Sequence, residues 1–237
     1  NVDLIIWPEN AIAIFLSENE EILSIIMQRI IGSESLLVGD LVVKSFNDVY
    51  NSAILINKSG KISSSYDKVH LVPFGEYLPF NKFLKNFKFL KILTSDKGLS
   101  KGISYDPIDT PLGLTRVLIC YEVIFPDEIL RSESRPDLII NISNDAWFND
   151  YSGPYQHFSN AKFRSVESGL PVIRSSNKGI SAIIGPYGRE IKKLSLNEEG
   201  SIYSRLPQKI PETIYVRYKN FIVLALLFLY FLCYRKI

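Results

Sequence analysis

The chain has 237 residues, 46% of them hydrophobic, with 27 Lys and Arg against 25 Asp and Glu for a net charge of +2. That length suits one large domain, or one domain with a tail, and the near-neutral charge excludes nucleic acid as the expected partner. The two cysteines (Cys120, Cys233) and two histidines (His70, His157) build neither a disulfide framework nor a zinc-spaced cluster, so no metal and no cofactor is expected.

Val2-Asp-Leu-Ile-Ile-Trp7 reads as a buried strand ending at Pro8-Glu9. No initiator Met or signal peptide precedes it, so the chain is expected to be the C-terminal portion of something longer, or the product of a split gene. Residues 18–31 space Ile22, Leu23, Ile25, Ile26 and Ile30 as one helix face, and Gly32 stops the helix. A strand over 36–43 follows. Strands over 50–56 and 61–66 flank Asn57-Lys-Ser-Gly60, a hairpin signal. Residues 80–93 interleave Phe80, Phe83, Phe87 and Leu90 with Lys82, Lys85, Lys88 and Lys91, the pattern of a membrane-surface element. A strand over 116–119 runs straight into Cys120, and Pro126-Asp127 then opens a helix. Asp137-Leu-Ile-Ile-Asn141 is another buried strand. A helix over 155–168 and strands over 172–175, 180–184 and 189–194 complete a pattern of two packed sheets with helices outside. Phe221–Tyr234 carries no charge, is preceded by Tyr215 and Tyr218 and followed by Arg235-Lys236, and reads as a transmembrane helix. The expected organisation is a catalytic domain over 1–212, with a membrane helix and basic tail over 213–237.

Three reactive groups follow predicted strands: Glu9, Lys68 and Cys120. In open α/β sheets, ligands bind outside the carboxyl ends of strands. A thiol at a strand-to-helix corner is expected to favour the thiolate, the nucleophilic form. Glu9 is the candidate general base, and Lys68 the group that lowers the thiol's pKa and supports an oxyanion. The Tyr121 N–H is a second candidate oxyanion donor. This division of labour leaves His70 and His157 as structural hydrogen-bonding residues. Glu76 either orients Lys68 or caps a loop, and Trp147 and Phe148 are pocket wall or core.

The triad Glu9, Lys68, Cys120 resembles that of the nitrilase, or carbon–nitrogen hydrolase, superfamily. Within it, Trp7-Pro-Glu9, Asp67-Lys-Val-His-Leu-Val-Pro-Phe-Gly-Glu76, Cys120-Tyr-Glu122, Asn141-Ile-Ser-Asn-Asp-Ala-Trp-Phe148, Gly153-Pro-Tyr-Gln-His157 and Arg174-Ser-Ser-Asn-Lys-Gly179 are similar to the apolipoprotein N-acyltransferases. The resemblance implies a nitrilase-type α-β-β-α sandwich, here lacking its first strand and helix. It implies catalytic Glu9, Lys68 and Cys120, with Glu76, Tyr121 and Glu122 in support. The implied reaction moves an acyl chain from a phospholipid, typically phosphatidylethanolamine, through a Cys120 thioester to the N-terminal diacylglyceryl-cysteine of an apolipoprotein. It further implies the bacterial inner membrane, with the catalytic domain on the periplasmic side, and a multi-helix membrane portion before this domain in the family, for which a separately encoded partner is one open alternative. The alternatives are a nitrilase-type amidase on small carbon–nitrogen substrates, and an inactive membrane-tethered remnant of a split acyltransferase.

Overall fold

The computed structural model describes residues 2–12, 15–30, 35–45, 48–79 and 98–234. Strands β1 (Ile5–Ile6), β2 (Ser35–Ser45), β3 (Asp48–Asn57) and β4 (Ile62–Asp67) form one sheet in the order β1-β2-β3-β4. The second sheet holds β5 (Ile108–Thr110), β6 (Gly113–Ile119), β7 (Leu138–Asn144), β8 (Val172–Asn177), β9 (Ser181–Ile184) and β10 (Glu190–Leu194), in the order β10-β9-β8-β7-β6-β5. Its centre, β6-β7-β8, is parallel, which suits strands that are apolar on both faces.

The period of two along each strand sorts side chains into layers. Leu37, Ala53, Leu55 and Tyr66 of the first sheet meet Val117, Ile119, Leu138, Ile140 and Ile142 of the second. On the outer face of the first sheet, Leu36, Val38, Ile54 and Ile56 pack on Leu23 and Met27 of helix α1 (Glu20–Arg29). On the outer face of the second, Leu118, Ile139, Val172, Ala182 and Ile184 pack on Phe158 and Ala161 of helix α2 (Ser152–Ser168). The result is the expected α-β-β-α sandwich.

Several elements differ from the sequence reading. The first strand is reduced to Ile5–Ile6, paired in parallel with Leu36 and Leu37, although the Trp7 N–H still donates to Leu37 O at 2.8 Å. β5 went unread because three residues carry no periodicity. Pro126-Asp127 opens only a three-residue 3-10 turn, Pro126–Glu128, rather than a helix. The serines and Pro136 that follow oppose helical continuation. Residues 80–93, read as a membrane-surface element, lie outside the described residues.

Beyond the sandwich come helices α3 (Ile214–Tyr218) and α4 (Phe221–Tyr234). The Thr213 hydroxyl caps α3 by accepting the Val216 N–H at 3.2 Å. α4 is exposed all round, with Phe221 at 76% and Phe231 at 62%. Its 14 residues extend about 21 Å at 1.5 Å per residue, short of a ~30 Å hydrocarbon core. Among the described residues, no helix is long and apolar enough to cross a membrane, so the expected span is not seen.

Candidate active site

Lys68 directly follows β4, Cys120 directly follows β6, and Glu9 sits three residues past β1. All three are nearly sealed from solvent, with exposures of 4% for Glu9, 1% for Lys68 and 8% for Cys120. They line one cavity of ≈ 720 Å³, together with Glu76, Tyr121, Trp147 and Phe148. Lys68 Nζ lies 2.8 Å from Glu76 Oε1 and 3.9 Å from Glu9 Oε1. The charges of Glu9 and Lys68 both act on the Cys120 thiol.

Each group is held by its neighbours. Gly39 of β2 faces the turn that carries Glu9: a Cβ there would stand 2.8 Å from Glu9 Cα and 3.0 Å from Ile142 Cδ1. Only a residue without a side chain lets the turn sit this close to the sheet. Glu9 Oε2 accepts the Asn144 N–H at 2.9 Å, from the end of β7. Asn51, on β3, donates its amide to Glu9 Oε1 at 2.7 Å and to Glu76 Oε1 at 2.9 Å. Glu76 fills both of the roles considered for it. One oxygen takes Lys68, and the other accepts the Val72 N–H at 2.7 Å. Burial alone would lower the Lys68 pKa, but the facing Glu9, Cys120 and Glu76 outweigh it and hold the ammonium above its ordinary value.

Cys120 has φ 50°, in the left-handed region. For a side chain with a Cβ this costs about 1–2 kcal/mol, so surrounding contacts must impose it. Two do so. The Ile119 N–H donates to Glu122 Oε2 at 2.8 Å, and His157 Nε2 donates to the Cys120 carbonyl at 3.1 Å. The thiol itself corrects the sequence reading. Burial pushes it up to about 11 and the Glu9 carboxylate adds to this, while Lys68 opposes them without prevailing. In place of the expected helix, a five-residue 3-10 turn, Cys120–Ile124, starts at the thiol, and the Pro126–Glu128 turn follows it. The resting group at neutral pH is therefore the thiol, so a nucleophilic role would need a base to take its proton.

Glu122 is fully buried and is not among the residues lining the cavity; its carboxylate accepts the N–H groups of Val69, His70 and Ile119. The Tyr121 ring lies edge-on to Phe125, with centroids 5.1 Å apart, and to His70 at 5.8 Å. His70 stacks on Phe125 and bonds Glu128 Oε1 at 3.0 Å, a structural role. Trp147 is 77% exposed and Phe148 39%, so they form the cavity rim rather than core.

Sequence reasoning missed Asn51, the Asn144 N–H, and the buried set Asp145–Arg174 behind His157. Asp145 and Arg174 pair at 2.7 Å. A signal for the latter existed: polar Asn141, Ser143, Asn144 and Asp145 stand in and just after an Ile-rich buried strand. Among the described residues, no group of three His, Cys, Asp or Glu could hold a metal ion. A protonated thiol, a hydrogen-bonded carboxylate and a buried ammonium at one cavity floor suit covalent transfer of an acyl group.

Comparison with known proteins agrees. The family described as carbon-nitrogen hydrolase matches residues 1–215. The apolipoprotein N-acyltransferase of Rhodopseudomonas palustris is 39% identical over 224 residues, covering 92% of this chain and 42% of that protein. That of Allorhizobium ampelinum is 44% identical over 206 residues, covering 84% and 39%. The chain thus spans about two fifths of the length of the curated relatives it matches. Among solved structures, a carbon-nitrogen hydrolase from Helicobacter pylori G27 superposes with a TM-score of 0.60 at 16% identity, covering 83% of this chain and 74% of that one. An amidase from Nesterenkonia sp. superposes at 0.58 and 19% identity, covering 82% and 74%. At these identities the structures speak for the fold alone. The matched family model takes in the whole sandwich, and the chain belongs to the carbon–nitrogen hydrolase family.

Proposed function

We propose that residues 1–212 are the catalytic domain of an apolipoprotein N-acyltransferase. One observation carries this reading: Glu9, Lys68 and Cys120 line one cavity of ≈ 720 Å³ together with the exposed aromatic side chains of Trp147 and Phe148, room for an acyl chain rather than for a small amide alone. The similarity to named acyltransferases supports it.

In the first half-reaction, Glu9 takes the thiol proton as sulfur bonds to the ester carbonyl carbon of a phospholipid such as phosphatidylethanolamine. The carbonyl π pair moves to oxygen, where Lys68 and the Tyr121 N–H support it. Collapse breaks the ester C–O bond, and the lysophospholipid leaves with the proton from Glu9. In the second, the free α-amino group of a diacylglyceryl-cysteine attacks the thioester. The C–S bond breaks, the amine's proton passes through Glu9 back to sulfur, and an amide remains. Covalent catalysis replaces one difficult transfer with two easier ones. Glu76 and Asn51 hold the charged pair in register. Residues 213–237 act as the membrane-seeking segment, with α4 set into the lipid. The site of action is the bacterial inner membrane, with the domain on its periplasmic face.

The test is mass spectrometry of the chain after incubation with phosphatidylethanolamine in detergent. The expected result is one acyl group on Cys120, lost in Cys120→Ala and in Lys68→Ala, and transferred to an added peptide bearing N-terminal diacylglyceryl-cysteine. Hydrolysis of small amides without acyl transfer would turn the reading into an amidase. Absence of any acyl-enzyme would make the chain a non-catalytic remnant.

A further inference from the structure

We propose that His157 is a positioning residue for the acyl-transfer step, clamping the Cys120–Tyr121 peptide so that the Tyr121 N–H is presented to the developing oxyanion. The inference rests on the acyl-transfer reading given above. The imidazole sits in α2, 4% exposed, with Nε2 3.1 Å from the Cys120 carbonyl oxygen. That oxygen can only accept, so Nε2 carries a proton. A peptide unit is planar and trans, so its C=O and N–H point in opposite directions. Fixing the Cys120 oxygen on one side therefore fixes the Tyr121 N–H on the other, and Tyr121 lines the cavity.

The clamp is itself anchored. His157 Nδ1 faces Asp145 Oδ1 at 2.9 Å and Arg174 Nη2 at 3.2 Å. Asp145 also accepts from Ser143 Oγ and from Arg174 Nη2, each at 2.7 Å. Arg174 donates Nε to Ile180 O at 3.1 Å and reaches Asn141 Oδ1 with Nη1. Asp145 and Arg174 are as buried as any apolar core residue. Burying this many charged groups contributes little net stability, whereas it fixes direction closely. The chain from Arg174 through Asp145 to His157 ends on the backbone of Cys120, which is held in a left-handed conformation.

The experiment uses the full chain in detergent micelles with two probes of Cys120. p-Nitrophenyl butyrate acylates the thiol through a tetrahedral oxyanion, and its burst is read at the nitrophenolate band. Iodoacetamide alkylates the same thiol by displacement at carbon, with no oxyanion to support. His157→Gln keeps a donor near Nε2, while His157→Asn places its amide near Nδ1 and leaves the Cys120 carbonyl unclamped. The burst rate constant is expected to fall roughly 10²-fold in His157→Asn, the scale of losing one oxyanion donor. It is expected to recover most of that loss in His157→Gln, with the probe's KM and the alkylation rate unchanged in both. An unaltered burst in His157→Asn would overturn the clamp and leave the acyl-transfer reading standing. Parallel falls in burst and alkylation would reduce His157 to a folding residue. A parent chain that alkylates but gives no burst would sink the acyl-transfer reading, and the clamp with it.

Discussion

Glu122 Oε1 accepts the Val69 N–H at 2.8 Å across 53 residues of chain. The same oxygen takes the His70 N–H at 3.0 Å and the Tyr66 hydroxyl at 2.8 Å, and Oε2 takes the Ile119 N–H at 2.8 Å. One sealed carboxylate thus ties the backbone beside Lys68 to the backbone beside Cys120, without touching either side chain. Burial pushes its pKa up, while its donors and the Arg116 charge work the other way.

Glu122→Gln tests that tie. All four partners are donors, so the new amide NH₂ must face one of them wherever it is placed. We expect a loss of about 2–4 kcal/mol, the range for an unsatisfied or clashing buried polar group. Acylation of Cys120 should fall with it. Urea unfolding of the two chains gives the comparison, and equal midpoints would show that the carboxylate is not what joins the two loops.

The thiol's position on the pH scale gives a second prediction. Cys120 moves from an ordinary 9.0 to about 11, with burial as the main cause and Glu9 next. Its iodoacetamide rate should keep rising past pH 9 and level off only near 11, whereas Cys233, exposed on α4, serves as internal reference. For stability the sign follows from a raised folded value. The contribution is fully present below the unfolded pKa near 9 and is lost as pH rises through about 11. Cys120→Ser should flatten that alkaline decline in thermal melts. A plateau in alkylation below pH 8 would mean that Lys68, not burial, governs the sulfur.

A third prediction concerns α4. Its Phe, Leu and Tyr side chains are exposed on every face, and each large apolar group kept from water contributes about 1.5–3 kcal/mol. The chain should float with phosphatidylethanolamine–phosphatidylglycerol liposomes in a sucrose gradient, and a version ending before Tyr215 should stay in the aqueous fractions. Co-flotation of the shortened version would shift the membrane contact to the catalytic domain, and first of all to residues 80–93.

The sandwich was legible because its central strands carry strongly apolar runs and turn residues punctuate the chain, as in Asn57-Lys-Ser-Gly60, where Gly60 takes φ 79°. That Glu9, Lys68 and Cys120 share one cavity was legible because each comes just after a strand. Asn51 was not. Its partners Glu9 and Glu76 lie 42 and 25 residues away, and a lone polar residue in a strand carries no local signature of what it will meet. The thiol was misjudged for a related reason. Local placement pointed to a helix end, whereas its acidity is set by how completely distant strands enclose it, and that is a property of packing. The bounds of α4, Phe221–Tyr234, were legible in its uncharged run, but its 14 described residues are fewer than a span needs.

Gly39 sets a limit on how this site can be changed. Even a single added methyl would press on Glu9 Cα and Ile142 Cδ1 and carry the base away from the sulfur. In a saturation library selected for acylation, codon 39 should return glycine alone, while Trp147 at the open rim should accept a broad spectrum. On the proposed reading, directed evolution toward other acyl chains has its freedom at the mouth of the cavity and almost none beside Glu9.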